Sequence, residues 1–384
     1  MVRLLYSFPH VLDRPGIALT ALSQIRGVAA LGADVTLFCA SVGSAVLPAS
    51  VRVHETLALA GRRIPHRALG VQRAYTLHDR LTAWWLRGHA GDVDVVHAWP
   101  RGCLHTLRAA AAAGIPALRE SPNAHTASVF RESEAAVRHA GVRLRGDHSH
   151  ASDHAVLDRE IAEYLSATRV LVPSSYAWRE FVREGFPEDR LLRHRYGCDV
   201  QAFAPRPAQR PADRPFTAAF VGRGDATKGL HVALAAWRAA GLDNAELLVA
   251  GRVEDDYADV LRDGLADPSV RVLGFVSDVP SLLARADVLL LPSWTEGSAL
   301  VTLEAQASGC VPLVSTACGP LGRPGLDYLE HDVADVATLA GQLTMLHRDP
   351  AELARLSARG TAQRSFLSWD EAGRALLDCY RQVI

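Results

Sequence analysis

Two carboxylates, Glu296 and Glu304, lie in the run Leu291-Pro292-Ser293-Trp294-Thr295-Glu296-Gly297-Ser298-Ala299-Leu300-Val301-Thr302-Leu303-Glu304-Ala305. The apolar stretch Val288–Leu291 reads as a buried strand that stops at Pro292. A polar loop follows, then an apolar helix. Glu296 falls just before that helix and Glu304 about two turns along it. The first turn of a helix leaves its amides unpaired, so the backbone N–H groups of Ser298, Ala299, Leu300 and Val301 make an anion site. A phosphate drawn there would bring attached hydroxyl groups within reach of both carboxylates. A Glu favouring the helix dipole and an exposed mid-helix Glu would explain each residue separately. Neither explains why a strand, a loop, a helix and two upstream cations coincide.

Those cations are Arg223 and Lys228, in Phe220-Val221-Gly222-Arg223-Gly224-Asp225-Ala226-Thr227-Lys228-Gly229. Of the 41 Lys and Arg residues in the chain, only Lys228 is lysine. Whatever replaced lysine elsewhere, most simply GC-rich coding, left this one. A compact ammonium on a flexible stem and a flat guanidinium fork are not equivalent beside a crowded phosphate.

The elements needed to place these groups are those of an α/β protein. Val2–Ser7 and Asp34–Ala40 read as strands around an amphipathic helix, 16–31. Asp94–Ala98, Ile115–Arg119 and Arg169–Val172 continue the series. Three prolines within 204–211 interrupt it. It restarts with strands Phe216–Val221, Glu246–Ala250, Val270–Gly274, Asp287–Leu291 and Val311–Ser315. Strands alternating with helices predict doubly wound parallel sheets. Residues 1–205 are expected as one domain and 206–368 as a second, with the helical segment 369–384 completing the first. Ligands of open α/β sheets bind at the carboxyl ends of strands.

At 384 residues the chain suits two domains. Its net charge of −1 gives no global field that would steer it to nucleic acid. No apolar stretch reaches membrane-spanning length, and Met1–Ser7 lacks signal-peptide character. The six cysteines are scattered without a Cys-x-x-Cys pair. That pattern predicts reduced, buried thiols and a cytoplasmic setting.

Glu-x7-Glu with Gly-Arg-x4-Lys-Gly upstream resembles the retaining glycosyltransferases of family 4 (glycosyl transferases group 1). The order matches through Gly251, Gly274-Phe275 and Gly309-Cys310-Val311-Pro312. Tyr196-Gly197-Cys198-Asp199…Phe203-Ala204-Pro205 resembles the stretch that precedes that family's second domain. The likeness runs almost continuously from 196 to about 316, and the amino half matches in outline. The resemblance implies a GT-B fold, two Rossmann-like domains facing across a cleft, with a nucleoside-diphosphate sugar as donor and a hydroxyl-bearing acceptor. Arg223 and Lys228 would hold the diphosphate as its charge grows in the transition state. Glu296 would accept from donor sugar hydroxyls and Glu304 from the ribose. Ser298, Ala299, Leu300 and Val301 would contact phosphate and sugar, and Phe275 and Val276 would border the base. Gly16 would let backbone amides approach the β-phosphate. It equally fits a plain turn after Pro15, and the family's frequent second glycine is absent. His125, after the strand ending at Arg119, would lie near the reacting centre. The catalytic set is therefore Glu296, His125, Arg223 and Lys228, acting by positioning and polarisation. No cofactor and no metal are required, because cations and helix amides do the electrostatic work.

His148, His150 and His154 suggest a metal cluster, but their spacing fits no defined zinc signature; acceptor contact or helix capping is the plainer reading. Arg62, Arg63, Arg67, Arg73, Arg80 and Arg87 face only Asp79 across 62–87, with Trp84 and Trp85. This stretch suits peripheral contact with an anionic membrane, or a solvated basic face with tryptophans in the core. After Ser315 the chain departs from the family in 317–325, which leaves the base and sugar open. The acceptor and oligomeric state are likewise open. Three rivals are a nucleotide-sugar epimerase or hydrolase on the same scaffold, an NAD-dependent dehydrogenase and a catalytically dead sugar-nucleotide sensor. No Gly-x-Gly-x-x-Gly turn follows either domain's first strand, and the sensor need not keep both glutamates.

Overall fold

A computed structural model describes residues 1–59, 62–64, 69–142, 151–203, 205 and 214–384. The residues pack as two compact units. The first comprises Met1–Thr126, Asp153–Tyr196 and Trp369–Ile384; the second comprises Ala127–Ser152 and Gly197–Ser368.

The first unit is built on a seven-stranded sheet of β1 (Arg3–Val11), β2 (Asp34–Ser41), β3 (Arg52–Glu55), β4 (Val95–Ala98), β5 (Ala117–Glu120), β6 (Arg169–Val172) and β7 (Leu191–Arg193). The spatial order is β3-β2-β1-β4-β5-β6-β7, with every pairing parallel. Leu4, Tyr6 and Phe8 of β1 face one side and pack with Leu37 of β2, Val95 of β4 and Leu118 of β5. Leu5 faces the other side with Val96 and Leu107. Burial on both faces is why these strands read as apolar runs rather than as alternating ones. Four helices used below belong here: α1 (Ile17–Ala30), α2 (Val71–Gly88), α4 (His154–Ser166) and α7 (Trp369–Arg381). A fifth, α3 (Thr126–Ala140), begins at the unit's last residue before the chain leaves it.

Helix α7 is integral to this unit. A side chain at Gly27 of α1 would meet the backbone of Gly373 at 3.2 Å, so two glycines let the helices touch. Leu376, Leu377 and Tyr380 are buried with Ile25 and Val28, and the Tyr380 hydroxyl lies 2.6 Å from His97 Nδ1.

The second unit holds a six-stranded sheet of β8 (Phe216–Val221), β9 (Ala245–Ala250), β10 (Val270–Gly274), β11 (Val288–Leu291), β12 (Val311–Ser315) and β13 (Leu329–His331), in the order β10-β9-β8-β11-β12-β13. All pairings are again parallel. Helices α5 (Leu230–Ala240) and α6 (Leu300–Ser308) follow β8 and β11. The second sheet therefore has the doubly wound order 3-2-1-4-5-6, the first extends that order by a seventh strand, and each has a topological switch point between its first and fourth strands.

The division differs from a single linker near 205. The chain enters the second unit at Ala127, returns at Asp153 and crosses again at Gly197. The first crossing has a packing cause: Ala136, Val137 and Ala140 of α3 are buried with Leu230, Trp237 and Trp294 of the second unit's core. A helix's own periodicity shows that it has an apolar face, not which core that face joins.

Candidate active site

The switch point of the second unit lies between β8 and β11, and the loops after these strands carry the predicted cations and Glu296. After β8 the backbone turns at Gly222 and reaches Asp225, whose side chain caps a short 3₁₀ turn, Ala226–Lys228. One Asp225 oxygen accepts from the Lys228 amide at 2.9 Å and the Thr227 hydroxyl at 2.6 Å. The other accepts from Arg223 Nε at 2.5 Å. Asp225, which the sequence reading passed over, thus fixes both cations. Its Asp-x-x-Lys spacing is that of a residue capping a helical turn.

The turn ends at Gly229 with φ 73°. A Cβ there would sit 2.1 Å from the Pro292 carbonyl oxygen, and the Trp294 amide donates to the Thr227 carbonyl at 2.8 Å. The two loops touch through their main chains, which only glycine permits at this φ. Gly229→Ala should therefore cost at least about 2 kcal/mol of stability, from the left-handed backbone and the overlap together. Urea denaturation measures it; an unchanged midpoint would refute this packing.

The contact brings Lys228 to Glu296. The Lys228 ammonium is hydrogen-bonded to Glu296 Oε1, which also accepts from the Ser293 hydroxyl at 2.9 Å. Burial pushes the Lys228 pKa down, but the charge and hydrogen bond of Glu296, with Asp225 behind them, outweigh it and hold the pKa above its ordinary value. Lys228 stays cationic, on a side chain still 28% exposed.

Beyond Glu296, α6 begins at Leu300 with Ala299 as its N-cap and no side-chain cap. The expected row of free amides needs one correction. The Ala299 N–H donates to the Cys318 carbonyl at 3.2 Å, so it is spent within the fold. The amides of Ser298, Leu300 and Val301 have no acceptor among the described residues. Three buried side-chain atoms in the same loop, Trp294 Nε1, Thr295 Oγ1 and Ser298 Oγ, also lack a partner among the described residues. Each such atom costs about 1–3 kcal/mol if nothing satisfies it. Only Ser298 was anticipated, and then for its amide. Glu304 lies on α6 with no donor to its carboxylate among the described residues. Burial alone pushes its pKa up to about 7.

Gly274 ends β10, and Phe275 beyond it is 86% exposed, a bare aromatic face. Val276 is half-buried against Leu248, Ala250 and Leu282.

Gly16 and His125 belong to the first unit. Gly16 is the N-cap of α1 with φ 82° and ψ −132°, a conformation essentially closed to other residues. That conformation fits a plain turn after Pro15 as well as a close backbone approach to a ligand. His125 is buried rather than on a polar surface, its ring 5.0 Å from Tyr164 and 5.1 Å from Phe181. Thr126 next to it donates to Glu160 at 2.9 Å, so the segment is held by side chains of α4.

His148, His150 and Arg67 lie outside the described residues. His154 opens α4, which Asp153 caps. No group of three or more metal-ligating residues occurs among the described residues. Arg62 and Arg63 form a two-residue strand. Trp85 is half-buried against Phe38 and His54, whereas Trp84 is 72% exposed. No described helix is long and apolar enough to cross a membrane.

Residues 215–349 match the description "Glycosyl transferases group 1". With that match in its second half, the chain resembles this family. It is similar over 98% of its length to D-inositol 3-phosphate glycosyltransferase of Mycolicibacterium smegmatis, with 29% identity and 88% of that protein covered. Among solved structures, sucrose-phosphate synthase of Thermosynechococcus elongatus superposes with a TM-score of 0.72 at 18% identity, covering 99% of both chains. HepE of Anabaena, crystallised with UDP-glucose, gives 0.66 at 15% identity over the whole of both chains. The transferase therefore has the GT-B fold of two Rossmann-like domains, and the chain is an enzyme of the glycosyltransferase class.

Proposed function

We propose that the transferase moves a sugar from a nucleoside-diphosphate sugar to an acceptor hydroxyl with retention at the anomeric carbon, using no metal. The observation that carries this is the Lys228–Glu296 pair beside unsatisfied polar atoms. A lysine kept charged at a switch point, free amides at the head of α6 and three buried side-chain atoms without partners together suit a ligand rich in acceptors. A diphosphate offers these to Lys228, Arg223, the Ser298, Leu300 and Val301 amides and the orphaned hydroxyls. Glu296 takes sugar hydroxyls, Glu304 the ribose, and Phe275 a face of the base with Val276 beneath. Gly16 and His125 serve the donor phosphate and sugar from the first unit.

In this reading the acceptor oxygen bonds to the anomeric carbon on the face from which the diphosphate leaves. The bond from that carbon to the phosphate oxygen breaks, and the departing oxygen takes the acceptor proton. Arg223 and Lys228 stabilise the negative charge that grows there, so they bind the transition state more tightly than the ground state.

Thermal shift with UDP, GDP, dTDP and ADP tests the donor side. One of the four should raise Tm through mass action; no shift with any of them would overturn the proposal. Product stereochemistry by NMR tests retention.

On the same reading the enzyme works in the cytoplasm and makes peripheral contact with the inner face of the membrane through α2. Leu77, Leu81 and Trp84 are exposed along one face of that helix, with Arg73, Arg80 and Arg87 interspersed. Trp84→Ala should lower co-sedimentation with phosphatidylglycerol vesicles by about tenfold. Equal sedimentation of the variant, or none by the parent, would remove the membrane from the account.

A further inference from the structure

The switch point of the first unit, between β1 and β4, is occupied by Arg101. This residue follows β4 in Trp99-Pro100-Arg101-Gly102 and holds φ at 67°, a left-handed conformation uncommon for a long side chain. Such a conformation persists only where its surroundings fix it. The Arg101 amide donates to Glu163 Oε2 at 2.9 Å, and its Nε donates to Glu160 Oε1 at 3.0 Å. Gly102 next to it packs so tightly on Pro9 that a Cβ would lie 2.7 Å from that ring.

The same two glutamates serve a deeper cation. Arg119 is fully buried and donates to Glu160 at 2.6 Å and to Glu163 at 3.3 Å. Its remaining N–H groups go to the Glu120 carbonyl and the Ser121 hydroxyl. Arg119 thus uses its whole fork inside the protein. A third guanidinium, Arg159 of α4, has Nε 3.7 Å from Glu163, and its NH1 donates to the Thr76 hydroxyl of α2 at 3.4 Å.

Three arginines therefore share two carboxylates. Burial pushes the pKa of Glu163 up, and neighbouring Glu160 adds to that against the pull of Arg119. Arg101 and Arg159 have side chains 36% and 22% exposed. NH1 and NH2 of Arg101 and NH2 of Arg159 have no acceptor among the described residues. Beside them Tyr75 directs its hydroxyl to His10 Nδ1 at 3.4 Å, and His10 ends the first strand's side of the switch point.

We propose that the first unit binds an acceptor carrying an oxyanion, a phosphate or a carboxylate, held by the guanidiniums of Arg101 and Arg159. Arginine forks match the paired oxygens of either group, and the carboxyl end of strands at a switch point is where open sheets take ligands. The role of Arg119 is to tie up Glu160 and Glu163, so that neither closes the outer guanidiniums to an incoming anion. The proposal rests on the first unit being the acceptor side of the transferase.

Calorimetric titration of the full chain with glucose 6-phosphate, glucuronate and glucose tests it. At least one anionic probe should bind about tenfold or more tightly than glucose. That preference should fall below about threefold in Arg159→Met and in Arg101→Met, survive in Arg159→Lys, and survive in Lys228→Ala. Binding by glucose 6-phosphate alone assigns a phosphate; binding by both anions assigns either oxyanion. Absent heat with both anions, or a preference lost in Lys228→Ala but kept in Arg159→Met, overturns the proposal; the latter would place the anion at the diphosphate site. Failure of the nucleotide panel would refute the donor reading instead, and leaves this result standing.

Discussion

Lys228→Ala should abolish the nucleotide-dependent rise in Tm and lower kcat/KM by about a thousandfold, while the ligand-free protein unfolds within a few degrees of the parent. The loss is that expected when a preorganised group facing a developing negative charge is removed. Folding should survive for a local reason. The turn that carries Lys228 is held by Asp225 and by Gly229 against Pro292, not by the ammonium. Glu296 keeps the Ser293 hydroxyl as a partner. Lys228→Arg should restore part of the thermal shift, since charge returns, but little turnover, since a flat fork does not place its charge where the compact ammonium does. Unchanged nucleotide affinity in the alanine variant would sink the assignment of the site.

The second large effect is expected at Glu304, and it has a pH signature. Burial raises its pKa from 4.5 to about 7. The folded state therefore binds the proton more tightly than the unfolded state. Below about pH 4.5 both states are protonated and the residue is neutral toward stability. As pH climbs from there through 7 the folded protein is progressively penalised, by on the order of 3 kcal/mol at full ionisation. Glu304→Gln should accordingly raise the Tm of the ligand-free protein at pH 8 and leave it nearly unchanged at pH 4.5. The ribose hydroxyls reverse the sign, because they donate to the carboxylate and favour its charged form. Nucleotide affinity of the parent should rise between pH 5.5 and 8, with proton release in calorimetry. In the variant, affinity should be weaker by at least about tenfold and flat with pH. A variant that binds nucleotide like the parent, with the same pH slope, would remove Glu304 from the site.

The donor half of this site could be read because its parts are local. Gly222 to Gly229 and Leu291 to Glu304 are two continuous stretches, each a strand, a loop and a helix start, and the parallel order of the sheet makes the loops neighbours. What the stretches did not reveal was internal use. The Ala299 amide is taken by a carbonyl nineteen positions on, at Cys318, and no pattern in the loop announces that. Asp225 stands between the two cations in sequence, but only the fold shows that its carboxylate holds both.

The first unit was less legible because its polar groups meet across long separations. Glu120 accepts from Tyr196 and pairs with His194 at 2.9 Å, while Gln24 donates to it at 3.1 Å. The two histidines beside it, His194 first and then His97, hold its carboxyl well below the usual range despite complete burial. These residues come from β4, β5, the middle of α1 and the stretch after β7. Only the closed sheet shows that they are one network. Arg101 has the same history. In sequence it is one of many arginines, and only its backbone conformation and its two glutamates distinguish it.

The seating of α7 has a consequence for how the polypeptide is made. The ribosome delivers Gly373 and Tyr380 only after every residue of the second unit, 127–152 and 197–368, has been added. Until then Gly27 faces no helix and His97 lacks its tyrosine. The amino-terminal sheet must wait, incompletely covered, while the later-synthesised unit already has all of its own strands. Assembly order is therefore inverted relative to translation: the half begun first is the half finished last.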